Sequence, residues 1–186
     1  MKAPSIRRIG LAWLGALAVL GGVTTSCSGP EKGAIERKSS TRAPPGEFRS
    51  AGVSTVLERR CGSLDCHGSV ARNLRLYSER GLRLPVQDGG PTPGSAPTTI
   101  DEVSANYLSV VSLEPEITNE VLDGADPYKL LLVKKPLEIE KHKGGPALRR
   151  GDDAEKCIVS WLTRDPSTPI DTAACTRASE FPKEAR

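Results

Sequence analysis

Histidine is almost missing from this chain: His67 and His142 are its only two among 186 residues. That scarcity leaves little room for a Ser/His/Asp set, and no paired-carboxylate site is evident, so the sequence does not read as an enzyme. Methionine is rarer still, represented by Met1 alone. Aromatic residues make up 4%, and Trp161 is the only tryptophan besides Trp13, which implies a thin core. An excess of one charge is also lacking. The three basic residues before position 27 (Lys2, Arg7, Arg8) are matched by no acid there, and without them 26 basic residues fall to 23, equal to the 23 acidic ones. A neutral body argues against nucleic acid as a partner. No apolar run is long enough to span a bilayer comfortably, and the longest, Ile9 to Val23, stops short of a transmembrane helix.

What is present at the amino terminus reads as an export signal. Lys2, Arg7 and Arg8 form a positive start, Ile9 to Val23 an apolar centre, and residues 1–26 together a signal peptide. Thr24-Thr25-Ser26-Cys27 resembles the lipobox of bacterial lipoproteins, in which the chain is cut before a cysteine that then receives lipid, although leucine usually stands where Thr24 does. The alternative is an ordinary cleaved signal with a chance cysteine. Lipidation at Cys27 would anchor the chain to a membrane without a spanning helix and place the domain in the cell envelope, in the periplasm or at the cell surface. Residues 27–48 are rich in Gly, Pro, Ser and charge and read as a flexible tether. A single small domain is expected over residues 49–165, followed by a tail over 166–186.

Four cysteines remain after Cys27. Cys157 and Cys175 have no neighbouring histidine, and in an oxidising compartment a disulfide between them is expected, pinning the tail to the last helix. Cys61 and Cys66 lie in Cys61-Gly-Ser-Leu-Asp-Cys66-His67. Two cysteines followed at once by a histidine is the arrangement that fixes haem c: both thiols form thioethers and the imidazole binds iron from one face. The usual spacer is two residues, and here it is four. A disulfide between Cys61 and Cys66 is the competing reading, on a haem-free structural or binding lipoprotein. A zinc site from Cys61, Cys66, His67 and His142 is another. With haem present, His142 is the candidate second axial ligand, since no methionine competes for iron once Met1 is cleaved away.

The coarse architecture is mostly α, with long loops. Val53, Val56, Leu57 and Cys61 form one helical stripe. Pro85 to Thr98 reads as a loop. Thr99-Ile-Asp-Glu102 is a capping box opening a helix through Val103, Tyr107, Val110 and Val111. Asp126-Pro127 opens another, running to Pro136. Asp152 with Glu155 opens the last, whose inner face is Cys157, Ile158, Trp161 and Leu162.

The stretches Cys66-His67-Gly68, Lys129-Leu-Leu-Leu-Val-Lys-Lys-Pro136, His142-Lys-Gly-Gly145 and Cys157-Ile-Val-Ser-Trp161-Leu together resemble the small c-type cytochrome domains of the planctomycete and myxobacterial type. The resemblance covers most of Val53 to Leu162. It implies a small cytochrome c-like helical fold, one haem c, His67 as proximal and His142 as distal ligand, and Cys61 and Cys66 as attachment sites. It departs from the family at the four-residue spacer, a spacing known among multihaem cytochromes. The implied role is electron transfer outside the cytoplasm with a redox partner protein.

Overall fold

The computed structural model describes residues 45–86, 90, 92–94, 96–165 and 167–180. The expected signal peptide, Cys27 and most of the tether lie outside the described residues. Among the described residues, seven α-helices follow in order: α1 Pro45–Ser50, α2 Val53–Cys61, α3 Ile100–Val111, α4 Pro115–Leu122, α5 Leu131–Lys134, α6 Asp153–Thr163 and α7 Thr172–Ser179, with a 3-10 turn over Pro127–Lys129 before α5. Among the described residues there is no strand, only two isolated bridges, Tyr77 to Leu82 and Asp165 to Thr168.

Helix α6 is central and packs against α2, α4, α5 and α7. Its start is dictated locally: the Asp152 carboxylate accepts the Glu155 amide at 2.7 Å and satisfies one of the helix's orphan donors. Ala154, Cys157, Ile158, Trp161 and Leu162 then recur at i, i+3, i+4, i+7 and i+8 and are all buried, so one stripe of the helix carries the core. Ile158 and Leu162 each contribute about 1.5–3 kcal/mol of burial. The Cys157–Cys175 disulfide joins α6 to α7 across 18 residues and is fully buried, a link worth about 3 kcal/mol. The expected tail is thus partly a helix of the packed body.

The body also begins earlier than residue 49. Phe48, at the end of the expected tether, is fully buried on α1, its ring 5.2 Å from Trp161 and 5.7 Å from Tyr107. A stretch of Gly, Pro and charge hides this because one large apolar ring is enough to dock a two-turn helix when two aromatic partners wait for it.

Helix α3 has the expected capping box, with Thr99 Oγ1 accepting the Glu102 amide and Glu102 accepting the Thr99 amide at 2.8 Å. The Glu102 carboxylate is fully buried and also accepts Arg83 Nε and Nη2, each at 2.9 Å, and the Leu84 amide at 2.8 Å. Burial alone would raise its pKa. The Arg83 guanidinium and the two amides outweigh that and hold the carboxyl below its ordinary value. The same guanidinium binds the carbonyls of Pro93, Ala96 and Pro97, so one arginine stitches the proline-rich loop to α3.

The expected continuous helix from Pro127 to Pro136 is broken. Leu130 is extended (φ −70°, ψ 136°) and buried, and the chain restarts as α5. The Glu114 carboxylate, which begins α4, accepts the Leu131 amide at 2.5 Å and caps that second start. A long-range carboxylate replaces the local hydrogen bond that a continuous helix would have made, a competition that spacing does not reveal.

Candidate functional site

Helix α2 delivers Cys61 at its last turn and stops at Gly62, whose amide bonds Glu58 at 3.0 Å. The following six residues fold back on themselves. Cys66 N–H donates to Ser63 at 3.0 Å, forming a tight turn, and His67 N–H donates to the Cys61 carbonyl at 2.8 Å. The four-residue spacer is thus taken up by the Ser63–Cys66 turn, and the backbone at His67 returns to Cys61. The Arg72 guanidinium fastens the loop from outside by donating to the carbonyls of Asp65 and Cys66, at 3.0 and 2.9 Å.

Three glycines underlie the loop. A methyl group added to Gly68 would stand 2.2 Å from the Gly62 carbonyl oxygen and 2.7 Å from Gly81 Cα, and one on Gly81 would stand 2.0 Å from the same oxygen. Backbone meets backbone there, and no side chain can yield. Ser78 Oγ donates to the Gly62 carbonyl at 2.6 Å and completes the junction. Gly62 lies within the Cys61–His67 motif and Gly68 directly follows it, but only folding brings Gly81 to them.

His142 stands on a different kind of support. Its loop runs from Pro136, whose carbonyl accepts the Ala147 and Leu148 amides at 3.0 and 3.1 Å, with Leu148 buried beneath. The loop leaves α5 through Glu138, a non-glycine residue at φ 56°, while Glu138 N–H and Ile139 N–H bond the carbonyls of Lys135 and Lys134 at 2.9 Å. His142 then starts a turn closed by Gly145 N–H to the His142 carbonyl at 3.2 Å. Gly145 takes φ 73°, the left-handed conformation that glycine accepts without strain.

Seventy-five residues apart in sequence, the two histidines meet in space. Both are half-buried, their ring centroids are 6.1 Å apart, and their planes differ by 9°. Each ring is held the same way. His67 Nδ1 lies 2.9 Å from the Leu74 carbonyl and His142 Nδ1 lies 2.7 Å from the Gly145 carbonyl. A carbonyl only accepts, so Nδ1 donates in each, and in the neutral ring Nε2 keeps its lone pair. A backbone carbonyl on the far nitrogen is how ligating imidazoles are commonly oriented and made more basic. Burial lowers the pKa of His67, against the raising effect of the Leu74 carbonyl and with smaller lowering contributions from His142 and Arg72. A proton therefore competes less for its Nε2 near neutral pH.

The fold thus brings together the two histidines that the sequence singled out as candidate iron ligands, with their rings stacked. Histidine is a common ligand of haem iron. Cys61, at the end of α2, and Cys66, in the loop that carries His67, are half-buried. The four-ligand zinc arrangement is not assembled, since among the described residues no group of three or more His, Cys, Asp or Glu side chains is placed to hold a metal ion. Three of the six large apolar side chains exposed among the described residues, Leu64, Val70 and Ile139, lie within three residues of a histidine.

Comparison with known protein families, curated proteins and solved structures finds no match to this chain. Among the described residues no helix is long and apolar enough to cross a membrane.

Proposed function

We propose that this chain is a small c-type cytochrome-like electron carrier, exported and lipid-anchored through Cys27. It binds one haem between His67 and His142 and attaches it through Cys61 and Cys66. The observation that carries the reading is the histidine pair: the only two imidazoles in the chain lie parallel at 6.1 Å with both Nδ1 atoms engaged by carbonyls. The folding of the spacer that returns His67 to Cys61, and the exposed apolar residues beside both histidines, support it further. Export, lipidation and tethering in the cell envelope rest on the amino-terminal sequence. A redox partner protein follows from the role.

A bound haem would supply one-electron exchange, with His67 and His142 holding its iron. The chain's own residues do the rest. Leu74 and Gly145 hold the two imidazoles in the ligating tautomer. Burial lowers the pKa of His67 and so disfavours its protonation. The absence of a competing methionine leaves a bis-histidine ligand set, which favours a lower potential than His/Met ligation.

The test is expression of the full chain in a periplasm with active haem-maturation machinery. The expected protein shows a Soret band and reduced α and β bands, keeps its pigment through acid–acetone extraction, and fractionates with membranes. Cys61→Ser/Cys66→Ser should make the pigment extractable, and Cys27→Ser should move it to the soluble fraction. His142→Ala should turn a low-spin spectrum partly high-spin and admit carbon monoxide to the ferrous form. A colourless wild-type protein would sink the reading.

A further inference from the structure

The loop that carries His142 contributes almost nothing to the core. Residues 138–141, 143 and 144 are exposed, and between the base at Pro136 and the turn at His142 two lysine side chains reach across. Lys135 Nζ donates to the Lys141 carbonyl at 3.1 Å and pairs with Glu140 at 2.6 Å, and Lys134 Nζ holds the other oxygen of the same carboxylate at 3.1 Å. The Lys141 carbonyl belongs to the peptide unit that leads directly into His142. The geometry points to Lys135 as the positioning residue of His142: its ammonium latches the loop so that His142 stays at 6.1 Å from His67 with its Nδ1 on the Gly145 carbonyl. This rests on the reading of His142 as an iron ligand. An isolated surface ion pair would do little, but here one ammonium bridges a carboxylate and a main-chain carbonyl one residue from the ligand, and Lys134 holds the carboxylate from its other side.

Two histidines in the whole chain make the test direct, because a ¹⁵N-histidine spectrum contains two rings only. In the haem-free full chain, wild-type His142 is expected as the Nδ1–H tautomer. Lys135→Met keeps the aliphatic stem and removes the ammonium, and it should shift His142 toward the Nε2–H form that free imidazole prefers, with His67 unchanged as an internal control. Lys135→Arg should preserve the wild-type pattern. In the haem-loaded chain, Lys135→Met should raise the rate of carbon monoxide binding about tenfold, the factor that corresponds to about 1.4 kcal/mol. Glu140→Gln should raise it less, because the Lys141 carbonyl stays held, and it also serves as the second variant if Lys135→Met folds poorly. An unchanged His142 tautomer in Lys135→Met, or a wild-type His142 already in the Nε2–H form, would overturn the assignment. If the wild type binds no haem, the proposed function fails, while the tautomer measurement still decides the role of Lys135.

Discussion

The two histidine-bearing segments reach the same local result by opposite means. Both place Nδ1 on a main-chain carbonyl, at 2.9 Å for His67 and 2.7 Å for His142. The Cys61–Leu76 segment does so from a closed junction of three glycines, a buried serine and an arginine that binds two of its carbonyls. The Pro136–Leu148 segment does so from an exposed loop held at its base, at one strained residue and by a lysine latch. Backbone packed on backbone has no alternative arrangement of similar energy, whereas a solvent-exposed latch can open locally without disturbing the core. The comparison therefore makes His67 the permanent ligand candidate and His142 the releasable one.

The largest expected effect comes from breaking the first region. Gly81→Ala would put a methyl 2.0 Å from the Gly62 carbonyl oxygen, and overpacking without relief costs about 3 kcal/mol. Gly144→Ala adds the same methyl to the second region, where it would meet the His142 ring at 3.4 Å, in ordinary contact. Urea unfolding of both variants should show a large loss for the first and a change within about 0.5 kcal/mol for the second. Equal losses would erase the distinction between the two segments.

A smaller effect of opposite sign is expected at Glu138. Its φ of 56° is strained for any residue with a Cβ, and glycine there relieves about 1 kcal/mol. Glu138→Gly should raise the unfolding free energy by about that amount, less the extra freedom glycine gives the unfolded chain. A destabilised variant would mean that the Glu138 side chain supports the loop in a way its exposed position does not suggest.

The smallest effect is a pH slope from His67 in the first region. Burial lowers the pKa of His67 from its ordinary value of 6.5. The folded chain then binds that proton less readily than the unfolded chain does. The resulting stability is complete above pH 6.5 and is lost as pH falls through the unfolded and then the folded pKa. In haem-free protein, the difference in stability between wild type and His67→Gln should therefore narrow from pH 8 to pH 5. A difference independent of pH would show that His67 titrates alike in both states.

Much of the helical framework was legible because its causes are local. The Thr99/Glu102 capping box, the Asp152 cap and the apolar stripe of α6 each need only residues within two turns of one another, and all three appear as expected. The break at Leu130 was not legible, because its cause is Glu114, the N-cap of the preceding helix. Phe48 was hidden by the composition around it. The candidate site divides in the same way. Cys61, Cys66 and His67 announce themselves as a motif, and His142 was singled out by scarcity. Arg72, Gly81, Lys135 and Glu140 carry no such signal, because each acts through a contact that only the folded chain makes.

Local sequence by itself determined where helices α3 and α6 start and which stripe of α2 is apolar, and cysteine count with context singled out Cys157 and Cys175, since caps, helical periodicity and thiol pairing in an oxidising compartment depend on residue type and short spacing. Only the tertiary structure decided that His142 stands beside His67, that both rings set Nδ1 on a main-chain carbonyl, and that one loop is locked while the other is latched. Those outcomes depend on where a loop closed by Pro136 and Leu148 comes to rest against a loop closed by Gly62, Gly68 and Gly81. That placement is set by packing and hydrogen bonds summed over the whole domain, and no window of sequence contains it.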